Sequence, residues 1–299
     1  MKIAVTGSSG LVGSALVSTL SGASHEVVRL KRPTQWDPER RTIDDSALAG
    51  VDAVVHLAGE SIASGRWTAA RKRRILDSRV QGTKLIAEAV GRMDRPPQVL
   101  VSASAIGYYG DRGSEVLREE SPPGAGFLPE VCRQWEAATD AATRKGVRVV
   151  HLRTGLVLSA KGGAMGRMLL PFKLGAGGKI GSGSQYWSWI SLDDVCAAIT
   201  HCIQAAALHG PVNITSPSPV TNLEFTKTLG RVLRRPTIFP MPAFAARLAL
   251  GEMADELLLA SARVQPAKLT ATRFVFRHKE LEPTLRNLLG HGHVMAGEL

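Results

Sequence analysis

The segment VTGSSGLVG, residues 5–13, constrains this chain more than any other. It places Gly7, Gly10 and Gly13 directly after a short apolar run, Lys2–Thr6, and at the opening of a helical pattern, Leu11–Leu20. A strand that turns tightly into a helix needs residues without Cβ, so that backbone amides at the positive helix end stay open to a phosphate and the helix packs closely on its strand. A glycine triplet alone says little. In the first strand–turn–helix of a βαβ unit, it predicts a turn that holds a dinucleotide pyrophosphate.

The rest of the first half repeats the same alternation. Lys2–Thr6, Glu26–Leu30, Ala53–Leu57, Gln98–Ser102 and Val147–Leu152 read as strands; each is short and apolar with little polar alternation, as strands covered on both faces are. Leu11–Leu20, Ala69–Val90 and Glu130–Lys145 have the length and period of crossover helices. An α/β fold follows, a Rossmann-type doubly wound parallel sheet. Beyond Gly155 the glycines at 162–163, 175–178 and 181–183 break the chain into loops, before an extended run at Trp189–Ser191, a helix at Leu192–Ala207 and a strand at Pro211–Thr215. Thr221–Leu233, Ala243–Leu250 and Glu252–Arg263 read as helices of a smaller, mostly helical C-terminal lobe. The expected division is a nucleotide-binding unit of residues 1–160 plus about 190–216, with 161–189 and 217–299 on the substrate side. With 299 residues, 44% of them hydrophobic and 21% charged, the chain can bury a full core, and disorder, collagen and coiled coil are excluded.

Cys132, Cys196 and Cys202 show no C-x-x-C and no histidine pair at zinc-ligand spacing, so no metal is expected and a reducing compartment is. The glycine turn interrupts the N-terminal apolar run too early for a secretory signal. The longest apolar stretch, Val195–Leu208, is too short to span a bilayer. A cytoplasmic protein without a membrane partner is the expectation. The net charge of +11 is unevenly placed: Arg66–Lys84 holds seven basic residues and one acid, Asp77. Such a run reads first as a solvated helix face and second as a docking surface for an acidic ligand. Helix-turn-helix, zinc-finger and aromatic RNA-binding signatures are missing and aromatics make up only 5% of the chain, which argues against nucleic acid.

About twenty residues past the glycine turn, where an NAD-binding protein offers an acid to the adenine ribose, the second strand runs into Lys31 and Arg32. Cations cannot accept hydrogen bonds from a ribose diol, but they pair with a 2′-phosphate. The expected cofactor is NADP(H).

VTGSSGLVG, HLAGE at His56–Glu60, SASAIGYYG at Ser102–Gly110 and WISLDDV at Trp189–Val195 together resemble the extended short-chain dehydrogenase/reductase superfamily. FLPEVCRQWE, GGAMGRMLLPF and GEMADELLLASARVQP, within residues 127–266, resemble an atypical branch of NAD(P)-dependent epimerase/dehydratase proteins with a C-terminal domain of unknown function. The resemblance implies that Gly7, Ser9, Gly10, Leu11 and Val12 wrap the pyrophosphate and that Arg32 meets the adenosine phosphate. It implies that Leu57, Ala58 and Gly59 line the ribose with Glu60 at its mouth. Ser102 would lie beside the nicotinamide ribose, and Arg153, Thr154, Gly155 and Leu156 would pass over the nicotinamide face.

The catalytic pattern of that superfamily departs here. Its Tyr-x-x-x-Lys pair supplies the acid/base, and matching Glu136 to the glutamate that follows the lysine puts Leu128 and Cys132 at those positions. Tyr109, or its neighbour Tyr108, is one candidate proton donor, with Ser104 or Ala105 at the hydroxyl position before it. On the helix Ala69–Val90, about 100° per residue places Arg79 on the apolar face of Ile75, Ile86 and Val90. An inward arginine must be paired, so Arg79 is expected to meet Glu60, a cofactor phosphate or an acidic substrate, or to form a structural ion pair. Two functional readings result. One is an NADP(H)-binding oxidoreductase or epimerase-like protein acting on an unidentified small substrate. The other is a catalytically silent NADP(H)-binding or redox-sensing protein. Either a monomer or a homodimer is compatible.

Overall fold

A computed structural model describes residues 1–290. Strands β1 (Lys2–Thr6), β2 (Glu26–Leu30), β3 (Ala53–His56), β4 (Val99–Ala105), β5 (Arg148–Thr154) and β6 (Gly210–Ile214) form one parallel sheet in the order β6-β5-β4-β3-β1-β2. Successive side chains point to opposite faces, so each strand feeds two cores. Ile3, Val5, Val55, Val101 and Leu152 meet helices α1 (Leu11–Gly22) and α6 (Leu192–Gln204) on one face. Ala4, Val54, Leu100 and Val149 meet α2 (Ala69–Arg92) and α4 (Asp140–Arg144) on the other. This double coverage is why the strands read as continuous apolar runs. From β1 the chain steps outward to β2, then returns past β1 to build β3 through β6 on the other side. The carboxyl ends of β1 and β3 therefore flank the point where the winding reverses, where a crevice opens in such sheets.

Three expected elements differ. The helix expected over Glu130–Lys145 is two, α3 (Phe127–Ala137) and α4. At the break Thr139 donates its hydroxyl to the Glu136 carbonyl and lies 2.9 Å from His151 Nε2, a side-chain bond that competes with helix continuation. The glycines at 162–163 do not open a loop. Their φ angles of +149° and +70° turn the chain into α5 (Gly163–Lys173), whose Met165, Leu169 and Phe172 are buried at helical spacing. The helix expected over Glu252–Arg263 ends at Leu259 in a wide turn, and Arg263–Val264 instead pairs in parallel with Val116–Leu117. Ser261, whose amide donates to Asp111 Oδ1, fixes that strand, so tertiary pairing overrides the helical pattern.

A third core joins Leu158, Met165 and Phe172 to Trp187, Trp189 and the helices α7 (Asn222–Leu233) and Leu281–Leu288. The C-terminal region does not stay with this lobe: Leu269, Phe274 and Phe276 pack on the α1/α6 face of the main sheet. The terminal part of the expected lobe, 291–299, lies outside the described residues. Asp194, fully buried in the first turn of α6, binds this strap in place; its two oxygens accept the amides of Arg277 and His278, each at 2.9 Å. Asp194→Ala leaves both amides without a partner and is expected to cost on the order of 3 kcal/mol, read as a lowered urea midpoint; an unchanged midpoint would remove this anchor from the account.

Candidate functional site

The turn after β1 is shaped by close approach. Gly7 sits at φ +66°, and a Cβ there would lie 2.8 Å from the Leu57 carbonyl carbon and 2.9 Å from the Ala58 amide, in the turn that follows β3. A Cβ on Gly13 would meet the Gly7 oxygen at 2.1 Å, so only glycine lets α1 lie this close to β1. Gly10 donates its amide to the Gly7 carbonyl at 3.0 Å and begins α1 without a side-chain cap. Ser9 and Gly10 are exposed, while Leu11 and Val12 are half-buried. An uncapped helix start beside glycines is a cradle for an anion.

Lys31 and Arg32 emerge exposed from the end of β2. Arg32 stands 3.2 Å from Glu39 Oε1 and 5.7 Å from the centroid of Trp36, which is itself buried and anchored by its indole N–H to the Leu30 carbonyl. Exposed pairs of this kind are weak, so Glu39 holds Arg32 only loosely.

Two polar rows cross the carboxyl end of the sheet on the α2/α4 face. In strand register, Thr6, His56, Ser102 and His151 form one; Ser104, Arg153 and Asn213 form the other. Thr6 Oγ1 lies 2.7 Å from His56 Nδ1 and accepts the Leu57 amide at 3.2 Å, which sets the turn carrying Ala58 and Gly59. His56 is fully buried, edge-on to Trp36, with no protein partner for Nε2 among the described residues. Burial pushes its imidazole down to about 4, so it is neutral at physiological pH. The Ser102 hydroxyl turns back to the Ala103 carbonyl.

The second row is a closed network. Glu136 of α3 grips Arg153 with both carboxylate oxygens at 2.8 Å, and Ser104 donates to Glu136 Oε1 at 2.7 Å. Arg153 also donates to the Tyr109 hydroxyl and to the Glu119 carbonyl, each at 3.1 Å. Tyr109 in turn donates to Asn213 Oδ1 at 2.7 Å. The network bears on three residues singled out from the sequence. Tyr109 is wholly buried, and burial pushes its phenol up to about 12. The Arg153 guanidinium is spent within the core, so any part of this residue near a nicotinamide is its backbone. Gly155 is needed for packing, since a Cβ would meet the Ser188 oxygen at 2.5 Å.

At the positions of the missing pair, Cys132 is buried against the Ala105 carbonyl, and burial, then the Glu136 charge, raises its thiol to about 12. Leu128 packs with Trp67, Ile75 and Met253. The start of α3 is covered by the C-terminal region: Glu256 accepts the amides of Phe127 and Leu128 at 2.8 and 2.9 Å.

Arg79 does turn inward, but it meets backbone. It donates to the carbonyls of Glu60 and Ile75 at 3.0 and 3.1 Å and lies 5.0 Å from the Trp135 ring centroid. The Glu60 carboxylate belongs to Arg71, at 2.7 Å, a residue that the sequence did not single out and that helical spacing four residues before Ile75 could have flagged. Four residues of the basic run are therefore braces, while Arg73, Arg74 and Lys84 stay on a solvated face. Arg71 also holds Ser61 and Ser64, Arg66 donates to the carbonyls of Leu248 and Ala249, and Lys72 pairs with Glu252 at 2.8 Å. Arg167 of α5 donates to the Ala63 carbonyl, so the loop after β3 is clasped from both sides. Among the described residues no helix is long and apolar enough to cross a membrane, and no group of three His, Cys, Asp or Glu could hold a metal ion.

The sheet order and the glycine turn at the winding reversal are those of a short-chain dehydrogenase/reductase. The sequence pattern of the NAD dependent epimerase/dehydratase family matches residues 3–215, and that of a domain of unknown function, DUF1731, matches residues 241–288. The chain belongs to this epimerase/dehydratase family. Epimerase family protein Mb2239 of Mycobacterium bovis is 44% identical, over 99% of this chain and 98% of its own. A crystal structure of human epimerase family protein SDR39U1 with NADPH is similar at a TM-score of 0.89 and 34% identity, covering 97% of this chain and 99% of that one. A nucleoside-diphosphate sugar epimerase from Corynebacterium glutamicum has a TM-score of 0.80 and 38% identity, covering 99% of this chain and 59% of that one. UDP-glucose 4-epimerase from Thermus thermophilus, at 20% identity and a TM-score of 0.73, shares the fold.

Two outcomes are expected. Unfolded, the His56 imidazole takes up a proton near 6.5, whereas folded it resists until about 4. Stability present above pH 6.5 is thus lost as pH falls through that window, by on the order of 3 kcal/mol. Urea midpoints of His56→Gln should fall less steeply over the same range; parallel slopes would contradict a neutral buried imidazole. Glu136→Ala strands the Arg153 charge in the core and should cost about 3 to 5 kcal/mol, measured by denaturant unfolding. A cost below about 1 kcal/mol, the range of exposed pairs, would show that the network is dispensable.

Proposed function

We propose that the protein is an NADP(H)-binding oxidoreductase or epimerase-like enzyme acting on a small substrate at the carboxyl edge of the sheet. The observation that carries this reading is the Gly7–Gly13 cradle, which any Cβ would fill, facing a strand end that offers Arg32 rather than an acid. The residues present fit the group. Gly7, Ser9, Gly10, Leu11 and Val12 would hold the pyrophosphate, Lys31 and Arg32 the 2′-phosphate, and Leu57, Ala58 and Gly59 a ribose. When bound, the nicotinamide supplies a hydride acceptor or donor. The human relative crystallised with NADPH supports the choice of cofactor.

The chain's own part is to position, to exclude water and to manage a proton. Neither Leu128 nor Cys132 can hold a mobile proton, and Tyr109 is committed to Asn213. Ser104 is the remaining hydroxyl of the expected pair, and its bond to Glu136 orients it. The cofactor unit comprises residues 1–160 with about 190–216, and the substrate side comprises 161–189 with the region from 217 onward, apart from the strap through Leu269–Phe276 on the main sheet. The buried free thiols of Cys132, Cys196 and Cys202 suit a reducing compartment, which we read as the cytoplasm. A second reading, an NADP(H)-binding sensor without turnover, is favoured by the apolar surroundings of Leu128 and Cys132.

Fluorescence titration with NADPH and NADH tests the shared premise. Arg32→Ala should weaken NADPH about tenfold or more, as loss of a charge-assisted bond does, and leave NADH nearly unchanged. Equal loss of both would disprove the 2′-phosphate role. NADPH consumption with a panel of small aldehydes and ketones then separates the readings: turnover abolished in Ser104→Ala with NADPH affinity retained supports the enzyme, while tight binding without consumption favours the sensor.

A further inference from the structure

Away from the cofactor cradle, Leu170, Leu174, Ile238, Phe239, Phe244 and Leu248 keep between 60% and 75% of their surface exposed. They form one patch. Leu170 and Leu174 are a helical turn apart at the end of α5, and the segment that follows lies against residues 236–239: a Cβ on Gly175 would touch Pro236, and Gly178 abuts the Phe239 carbonyl. Met241 bridges to Ile180, and the helix Ala243–Leu250 then presents Phe244 and Leu248 one turn apart. Single exposed apolar residues are ordinary, but a contiguous set with two phenylalanines marks a contact surface.

The border of this patch is cationic. α7 ends at Arg234, in the left-handed conformation at φ +54°, and the chain folds back so closely that Thr237 and the Arg235 carbonyl pack on Gly230. Lys227, Arg231, Arg234 and Arg235 consequently line a groove of about 490 Å³ that runs to Pro236, at the edge of the apolar residues. Lys173 stands between Leu170 and Leu174 on α5. Two nearby cations are already paired, Arg231 with Glu282 at 2.9 Å and Arg247 with Asp255 at 2.8 Å. Lys173, Lys227, Arg234 and Arg235 have no acidic partner among the described residues, and exposed Glu224 is at the opposite end of α7.

We propose that this face docks the protein on an anionic lipid surface, with Phe239, Phe244 and Leu248 entering the headgroup boundary and Arg234, Arg235, Lys227 and Lys173 on the phosphates. Amphipathic surfaces of this composition bind at membrane interfaces through apolar burial and attraction to anionic lipid together. Charge decides against a second copy, because a two-fold interface here would set the same cations against each other. No spanning segment is needed, so the expectation of no membrane partner, which rested on spanning length, does not bear on a surface contact.

The test is co-sedimentation of the full chain with vesicles of equal parts phosphatidylcholine and phosphatidylglycerol, and with vesicles of phosphatidylcholine alone, at low and high salt. The wild type should bind the anionic vesicles, release with salt, and ignore the neutral ones. Arg234→Glu with Arg235→Glu should weaken binding more than about tenfold, since each cation near such a surface contributes about 1 kcal/mol. Phe239→Ser with Phe244→Ser should do the same at unchanged thermal midpoint; both side chains are exposed, so the fold does not depend on them. Failure of the wild type to bind, or binding unaltered in both variants, overturns the proposal. So does a dimer in analytical ultracentrifugation that the phenylalanine variant dissolves, which would assign the face to a second copy.

Discussion

The Arg153 guanidinium, held by both oxygens of Glu136, ties together more of this molecule than any other contact. It fixes α3 to β5, and Ser104 extends the bond to β4. Through Tyr109 and Asn213 it reaches β6, where Glu119 accepts the amides of Asn213 and Lys268 and so brings in the C-terminal region. A buried ion pair stabilises only when its remaining donors and acceptors are met, and here nearly every one is. In this network Glu136, Arg153, Tyr109 and Asn213 are committed to each other.

The end of the sheet that carries the glycine turn follows a different logic. Nothing there is locked by charge; its form comes from exclusion. Gly7 and Gly13 permit β1, α1 and the turn after β3 to approach to distances that no side chain tolerates, and Thr6 with His56 holds that turn from below. A neutral, fully buried His56 is suited to this supporting role, since a charge beside Trp36 would have no partner. The two ends of the crevice thus differ in kind: an open backbone cradle at β1 and a satisfied polar core at β4 and β5.

Between them lies the loop after β3, and the basic run of α2 exists largely to hold it. Arg71 closes on Glu60, Ser61 and Ser64, Arg79 on the Glu60 carbonyl, and Arg66 and Lys72 on the C-terminal helices. Arginine suits this work because its planar fork reaches several carbonyls at once. Some of the positive charge without an acidic partner borders the apolar residues of α5 and 238–248, and some stays on α2 at Arg73 and Arg74.

The glycine spacing, the apolar strands and the Lys31-Arg32 pair were legible in the sequence because each acts through local geometry: a turn without Cβ, a strand covered on both faces, a charge at a strand end. The inward direction of Arg79 was legible too, because helical period sets it. Its partner was not, since Glu60 is claimed by Arg71 only when the loop folds back on α2. The same holds for Tyr109, whose position before Gly110 suggested an acid but whose burial depends on β6 and Asn213, over a hundred residues away. The helix expected at Glu252–Arg263 gave way to a strand because Val116–Leu117 offered backbone partners there. By itself the sequence determined the sheet, its glycine turn and the charge at the end of β2, all consequences of neighbours in the chain. Only the tertiary structure decided which polar groups stay available for chemistry, because a proton or a charge is free or spent according to partners brought together from distant segments.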